Sequence, residues 1–365
     1  MKVAIIHYWL VNMRGGEKVI EALLDMYPEA DLFTHVYDPD SVSDKIKKHR
    51  VYTSSVNRLP FSKKFYRLYM PLMPNALLGF NLQKYDLVIS SESGPAKGVV
   101  PGPDAYHICY CHSPMRYLWD MYHEYSGKSG ILTRIFMKTL IPKLRIWDIT
   151  SSNLVDIFIS NSDYVGARIR RYYNRSSITV FPPVNTEKYL AVSRNVKDYY
   201  LYFGEVTSYK KADLAIGACI KSGRKLVVAG AGASKKDIKL FTKTGLVIFK
   251  GRVSDREIKQ LYSEAKALIF PGIEDFGIIP VEAQAAGCPV IAYNDGGARQ
   301  TVKENITGLF FNEQTEASLI DALDRYESSI DIFTTRENFS DHVSQFGEQV
   351  FKDKIHRIVR EKKRL

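Results

Sequence analysis

The chain has 365 residues, 45% of them hydrophobic and 25% charged, the balance of an ordinary globular protein and not of a disordered, collagenous or disulfide-stapled one. At roughly 100–200 residues per domain, two domains are expected, each able to bury its own core. The 51 Lys and Arg exceed the 40 Asp and Glu by 11, which admits nucleic acid, anionic lipid or phosphorylated ligands as partners.

The N-terminal sequence MKVAIIHYWLVNMRGGE puts charges and glycines where a signal peptide needs its apolar core, and no stretch of eighteen apolar residues follows, so a cytoplasmic, non-spanning chain is expected, at most peripheral to a membrane. Short apolar runs predict strands at residues 2–7, 31–36, 85–90, 106–110, 156–160 and 178–181. Helix-period stretches separate them, the alternation of a wound parallel sheet. Eight basic residues, including Lys63, Lys64 and Arg67, and one acid, Asp44, fall in residues 43–72, and five more basic residues and no acid in 126–147. Residues 1–180 thus hold 23 basic and 16 acidic side chains, a surplus of +7 against +4 for the remainder. The uncharged stretch 68–83, broken by Pro71, Pro74 and Gly79, reads either as an interfacial, acceptor-facing segment or as a buried connection. Cys109, Cys111, Cys219 and Cys288 make no repeated CxxC pair, and nothing completes a four-ligand zinc set around Cys109-Tyr110-Cys111-His112. Reduced, buried thiols are expected.

After Pro182-Pro183 the pattern restarts, with strands predicted at 199–203, 225–229, 246–249, 267–270 and 290–292 and helices at 213–220 and 254–264, the latter opened by a Ser254/Glu257 capping box. The division expected is therefore an α/β domain over 1–182, a second over 183–340, and a helical segment 341–365 crossing back to the first. Ligands of doubly wound sheets bind outside the carboxyl ends of the strands, which places the expected site in a cleft between the two domains.

The strongest motif is IFPGIEDFGIIPVEAQAAGCPVIAY at 269–293, a strand, turn, helix and strand. Glu274 lies in the turn, the amides of Phe276, Gly277 and Ile278 open the helix, and Glu282 lies one turn inside. Helix N-terminal amides favour a phosphate, and the two carboxylates are placed to grip hydroxyls on either side of it.

This segment resembles the E-x7-E motif of the retaining glycosyltransferases of family 4, which have the GT-B fold of two Rossmann-like domains facing across a cleft. The likeness extends to Tyr209-Lys210-Lys211-Ala212-Asp213, SDREIKQLYSEAKALIFPG, GGARQTV at 296–302, IIHYWLVNMRGGEKVIEALL, CYCHSPMRYLWD and ISNSDYVGARIRRYY, and is closest to mannosyltransferases of bacterial surface-polysaccharide assembly. It implies a nucleotide-sugar donor, with GDP-mannose the best guess, and a lipid-linked or oligosaccharide acceptor. It implies that Glu274 holds the donor sugar, Glu282 the ribose, Lys210 the diphosphate and His112 the sugar near the scissile bond. Gly15 and Gly16 would let the first loop approach, while Phe276, Gly277 and Ile278 face the distal phosphate. Glu205 stands where relatives often carry Arg, so one phosphate cation is either missing or supplied from elsewhere, by Lys211 or Arg252. Gln300 departs from the family's Glu.

Competing patterns are weaker. Gly230-Ala231-Gly232 begins a dinucleotide fingerprint, but Lys235 replaces its third glycine. Asp38-Pro39-Asp40 is a metal-type D-x-D string that reads as a turn, and no metal is expected. A nucleotide-sugar epimerase or phosphorylase, and a non-enzymatic membrane- or nucleic-acid-binding protein, are the alternatives. The basic N-terminal half is assigned to an anionic membrane surface, and nucleic acid is the least favoured partner.

Overall fold

The computed structural model describes residues 1–122 and 131–362, with the backbone alone for 131–137, 334 and 362. The chain divides into two compact units, residues 1–182 with 352–365, and residues 183–351.

The first unit is built on seven strands, β1 (Val3–His7), β2 (Asp31–Thr34), β3 (Val51–Thr53), β4 (Leu87–Glu92), β5 (Tyr106–Cys111), β6 (Ile157–Ser160) and β7 (Ser177–Thr179), in the order 3-2-1-4-5-6-7. The second has six, β8 (Tyr200–Phe203), β9 (Leu226–Ala229), β10 (Val247–Gly251), β11 (Leu268–Phe270), β12 (Val290–Tyr293) and β13 (Gly308–Phe311), in the order 10-9-8-11-12-13. All pairings between these strands are parallel. Helices cover both faces of such sheets, so the central strands read as continuous apolar runs; β1 is buried at all five positions. The strand order reverses between β1 and β4 and between β8 and β11, and these switch points are where wound sheets take ligands.

Two strands lie outside the predicted set. β3 is a three-residue edge strand inside the first basic run, and β13 is the short Gly308–Phe311 run of the TGLFF sequence. Each is an edge strand, paired with a single neighbour, β2 or β12. The Asp255–Glu264 helix has its capping box: Ser254 Oγ accepts the Glu257 N–H at 3.3 Å and Glu257 accepts the Ser254 N–H at 2.7 Å.

The second unit runs on to residue 351 because Phe346 is buried within it, 5.6 Å ring to ring from Phe276, and its carbonyl accepts the Val184 N–H at 2.9 Å. Helical structure past 335 is split into Arg336–Ser344 and Glu348–Lys362. The latter delivers Lys352 to the first unit, where its Nζ lies 3.1 Å from Asp25.

Residues 68–83 are buried in part. Met73, Leu77 and Leu82 are buried, whereas Leu68, Leu72 and Leu78 are exposed. Asp38-Pro39-Asp40 is a turn, with Asp38 accepting from Ser41 Oγ and Lys63 Nζ. The four cysteines are free and buried. Of the second basic run, Lys128 lies outside the described residues. Among the described residues no helix is long and apolar enough to cross a membrane.

Candidate active site

In the second unit, the residues expected to hold a donor gather at the β8/β11 switch point. Lys210 ends a short helical turn after β8, and Glu274 lies in the loop after β11. Lys210 Nζ is 3.0 Å from Glu274 Oε1, with only 16% and 22% of the two side chains exposed. Burial disfavours the ammonium, but the Glu274 carboxylate, with Tyr209 and Glu205, holds the Lys210 pKa above its ordinary value. The pairing requires the two loops to touch backbone to backbone. A Cβ on Gly272 would stand 2.8 Å from Lys210 Cα, and one on Gly297 would stand 2.3 Å from the Phe276 carbonyl oxygen. Gly297 also donates its N–H to the Glu274 carbonyl at 2.8 Å. The Gly296-Gly297 element therefore seats the Glu274 turn.

The Ile278–Ala285 helix begins two residues later than a reading in which Phe276, Gly277 and Ile278 all open it. Gly277 is its N-cap at φ +95°, and Phe276 precedes it as a buried side chain. The first amides of a helix have no intrahelical acceptor, so this end suits a phosphate. Glu282 lies one turn in, beneath Tyr262, whose hydroxyl is 3.5 Å from Oε2. Burial pushes the Glu282 carboxyl up to about 7 against the opposing pull of Lys188, Tyr189 and Tyr262.

Lys211 caps the Ala212–Lys221 helix from a left-handed conformation, φ +54°. Arg252 is exposed just past β10. Among the described residues neither forms an ion pair with Glu274, which pairs with Lys210. Glu205 is exposed.

In the first unit, Gly15 and Gly16 open the Gly15–Met26 helix after β1, and His112 follows β5. The two loops meet: a Cβ on Gly16 would lie 2.9 Å from Tyr8 Oη, 3.3 Å from His7 Cε1 and 3.7 Å from His112 Nε2. His112 is held through its backbone, its N–H donating to the Glu92 carbonyl at 2.8 Å and its carbonyl accepting from Asn161 Nδ2 at 3.0 Å. Its Nε2 lies 2.8 Å from Ser91 Oγ, which in turn lies 3.0 Å from His7 Nδ1. His7 and Ser91 are register partners on β1 and β4, at the first switch point. On the far side of His7, Nε2 lies 3.6 Å from the buried Glu17 carboxylate. Burial opposes ionisation of Glu17, yet the His7 imidazole and the Arg14 backbone N–H hold its pKa below the ordinary carboxylate value. Ser91 is fully buried, a bridge between two imidazoles and not an accessible nucleophile.

Beneath the His112 loop, Glu92 accepts the N–H groups of Ala96 and Lys97, both at 2.8 Å. Lys97 Nζ is 3.5 Å from Glu92 and bonded to Asp148, all three side chains being inaccessible to solvent. Trp119 Nε1 donates to Asp148 at 2.8 Å, and Tyr173 donates to it as well. Sequence reasoning missed His7, Glu17, Ser91 and this triad. The available signal was positional: His7 and Ser91 are polar residues at the carboxyl ends of strands that a wound sheet makes neighbours.

Residues 185–344 match the family described as glycosyl transferases group 1. An uncharacterized glycosyltransferase of Methanocaldococcus jannaschii is 31% identical over 134 residues, 34% of each chain. D-inositol 3-phosphate glycosyltransferase of Frankia alni is 28% identical over 192 residues, 47% of each chain. The chain thus spans a third to a half of the length of these curated relatives. Among solved structures, Anabaena Alr3699/HepE in complex with UDP superposes with a TM-score of 0.72 at 15% identity, over 99% of this chain and 100% of that one. Sucrose-phosphate synthase from Thermosynechococcus elongatus gives 0.72 at 16% identity, over 99% of both. The fold is that of the GT-B enzymes, and the chain is related to the group 1 glycosyl transferases.

Proposed function

We propose that the protein is a retaining glycosyltransferase that moves a sugar from a nucleoside diphosphate donor to a hydroxyl of a lipid-linked or oligosaccharide acceptor. The observation that carries this reading is the Lys210–Glu274 pair, 3.0 Å apart at the β8/β11 switch point beside the start of the Ile278–Ala285 helix. Lys210 and the helix amides meet the diphosphate, Glu274 the sugar hydroxyls and Glu282 the ribose. Transfer builds negative charge on the departing phosphate and positive charge on the sugar. A cation aimed at the phosphate and a carboxylate beside the sugar therefore favour the transition state over the ground state. His112 acts on the sugar or acceptor side, with Gly15 and Gly16 keeping that approach open. The leaving phosphate itself helps to deprotonate the acceptor on the front face.

GDP-mannose is the donor favoured by the sequence resemblance. The structural likeness to a protein solved with UDP supports a UDP-sugar as the second reading. Calorimetric titration with GDP, UDP and ADP tests both, together with release of sugar from GDP-mannose and UDP-glucose. GDP binding with mannose release is expected; UDP binding without a GDP response replaces the base, and binding of no nucleotide overturns the enzyme reading.

The acceptor half is proposed to act at an anionic membrane surface as a peripheral enzyme. Support comes from Phe61, Phe65, Leu68 and Leu72, all exposed, interleaved with Lys63, Lys64 and Arg67. Apolar side chains among cations suit an anionic bilayer face better than bulk water.

A further inference from the structure

The buried residues Glu17, His7 and Ser91, which lead to the half-buried His112, lie outside the roles assigned so far. Their geometry constrains protons. His7 and His112 both present a ring nitrogen to one hydroxyl, Ser91 Oγ, at 3.0 and 2.8 Å. That hydroxyl has one proton, so it donates to one imidazole and accepts from the other.

The Glu17 end decides which. His7 Nε2 is buried, has no hydrogen-bond partner among the described residues and faces the Glu17 carboxylate at 3.6 Å. A lone pair pointed at an ionised carboxylate is repelled, and an N–H pointed at it is attracted, all the more where water is excluded. Glu17 is also pinned in place, because its Oε2 accepts the Arg14 N–H at 2.8 Å as the N3 residue of a capping box.

We infer that Glu17, His7 and Ser91 are positioning residues that fix the proton on Nε2 of His112. In neutral His7, Glu17 holds the proton on Nε2, which leaves Nδ1 as an acceptor. Ser91 donates to that Nδ1 and so accepts from His112 Nε2–H. His112 in its neutral form is left with Nδ1 as the ring acceptor. The ring then presents a lone pair there and not an N–H beside a sugar that is gaining positive charge. This rests on the place given to His112 in the proposed transfer, but the proton arrangement itself is independent of it.

Glu17→Gln tests the relay in the full-length protein. Glutamine also serves a capping box, and its amide offers His7 a donor where the carboxylate offered none. The relay then reverses: His7 protonated on Nδ1, Ser91 donating to His112, and His112 protonated on Nδ1. Long-range nitrogen–proton NMR on 15N-histidine-labelled protein reads the tautomers directly, with His7→Asn and His112→Ala assigning the signals and thermal melting showing that each variant is folded. The expected result is His112 protonated on Nε2 in the parent and on Nδ1 in Glu17→Gln, with the shift absent when Ser91→Ala is added. An Nδ1–H tautomer in the parent, no change in Glu17→Gln, or a change that survives Ser91→Ala overturns the relay. Turnover of GDP-mannose or UDP-glucose, whichever the parent consumes, is expected to fall roughly 10-fold to 100-fold in kcat with KM for the donor little altered. A reversed tautomer with unchanged turnover upholds the relay and removes His112 from the reaction.

Discussion

Lys210 Nζ and Glu274 Oε1 lie 3.0 Å apart, although the sequence motifs assign the two residues to different parts of a donor. Without ligand each neutralises the other. A bound diphosphate gives Lys210 a second anion and leaves Glu274 to the sugar hydroxyls. The pair therefore keeps a largely buried cation compensated until the donor arrives.

The two substitutions should accordingly separate. Lys210→Ala removes a charge-assisted contact of about 1.5–3 kcal/mol, and calorimetry with GDP or UDP should show binding weakened by roughly 10-fold to 100-fold. Glu274→Gln frees Lys210 for the diphosphate, so nucleoside diphosphate binding should be retained while sugar transfer falls by two orders of magnitude or more, roughly. Equal losses of nucleotide binding in both variants would remove the division of labour.

Glu282 predicts a pH dependence. Burial raises its carboxyl from 4.5 to about 7 in the folded protein. Between those values the folded state holds a proton that the unfolded state has lost, so stability falls as pH rises through this window. The penalty is absent below it and complete, at roughly 3 kcal/mol, above it. Glu282→Gln should melt higher than the parent at pH 8, with the gap closing near pH 5. Ribose hydroxyls are better held by the ionised carboxylate, so nucleoside diphosphate affinity should rise with pH through about 7 in the parent and lose that rise in Glu282→Gln. A parent and variant with parallel melting profiles across this range would refute the assignment.

The buried Lys97 triad predicts a large stability loss. Lys97→Met leaves Glu92 and Asp148 without their cation in a site closed to solvent, at a cost of about 3–5 kcal/mol. Urea unfolding followed by tryptophan fluorescence should show an earlier midpoint, because Trp119 donates to Asp148. Because the Glu92 carbonyl holds the His112 N–H, local loosening should reach the histidine loop, visible as faster amide exchange at 112–113.

The exposed apolar face of residues 61–72 predicts membrane association. Sedimentation with vesicles containing phosphatidylglycerol should pull the protein down, and Phe61→Ser with Leu68→Ser should abolish that. Neutralising Lys64 and Arg67 should shift binding to lower salt. Lys63 is a poorer probe, since its ammonium already pairs with Asp38 at 3.0 Å. Unchanged sedimentation in both sets would exclude this face.

The wound α/β character of both halves was legible in the sequence because central parallel strands are buried on two faces and stand out as continuous apolar runs, as at 2–7 and 267–270. The Ser254 capping box and the Glu274/Glu282 spacing were legible for a similar reason: each depends on neighbours a few residues apart. β3 and β13 were not: β3 is a half-exposed edge strand inside a basic run, and β13 is an edge strand opened by a glycine. The start of the Ile278–Ala285 helix was misplaced because Gly277 takes a left-handed conformation, which composition permits but does not dictate.

Sequence alone thus determined which residue types stand at the ends of which strands, and with them the two clusters of candidate site residues. Only the tertiary structure decided their electrical partners. Lys210 and Glu274 are 64 positions apart, and His7 and Ser91 are 84 apart; neither separation carries a local signal. Their charges and protons are set by distances of a few ångströms inside a medium that screens poorly, and those distances exist only once the sheets have wound.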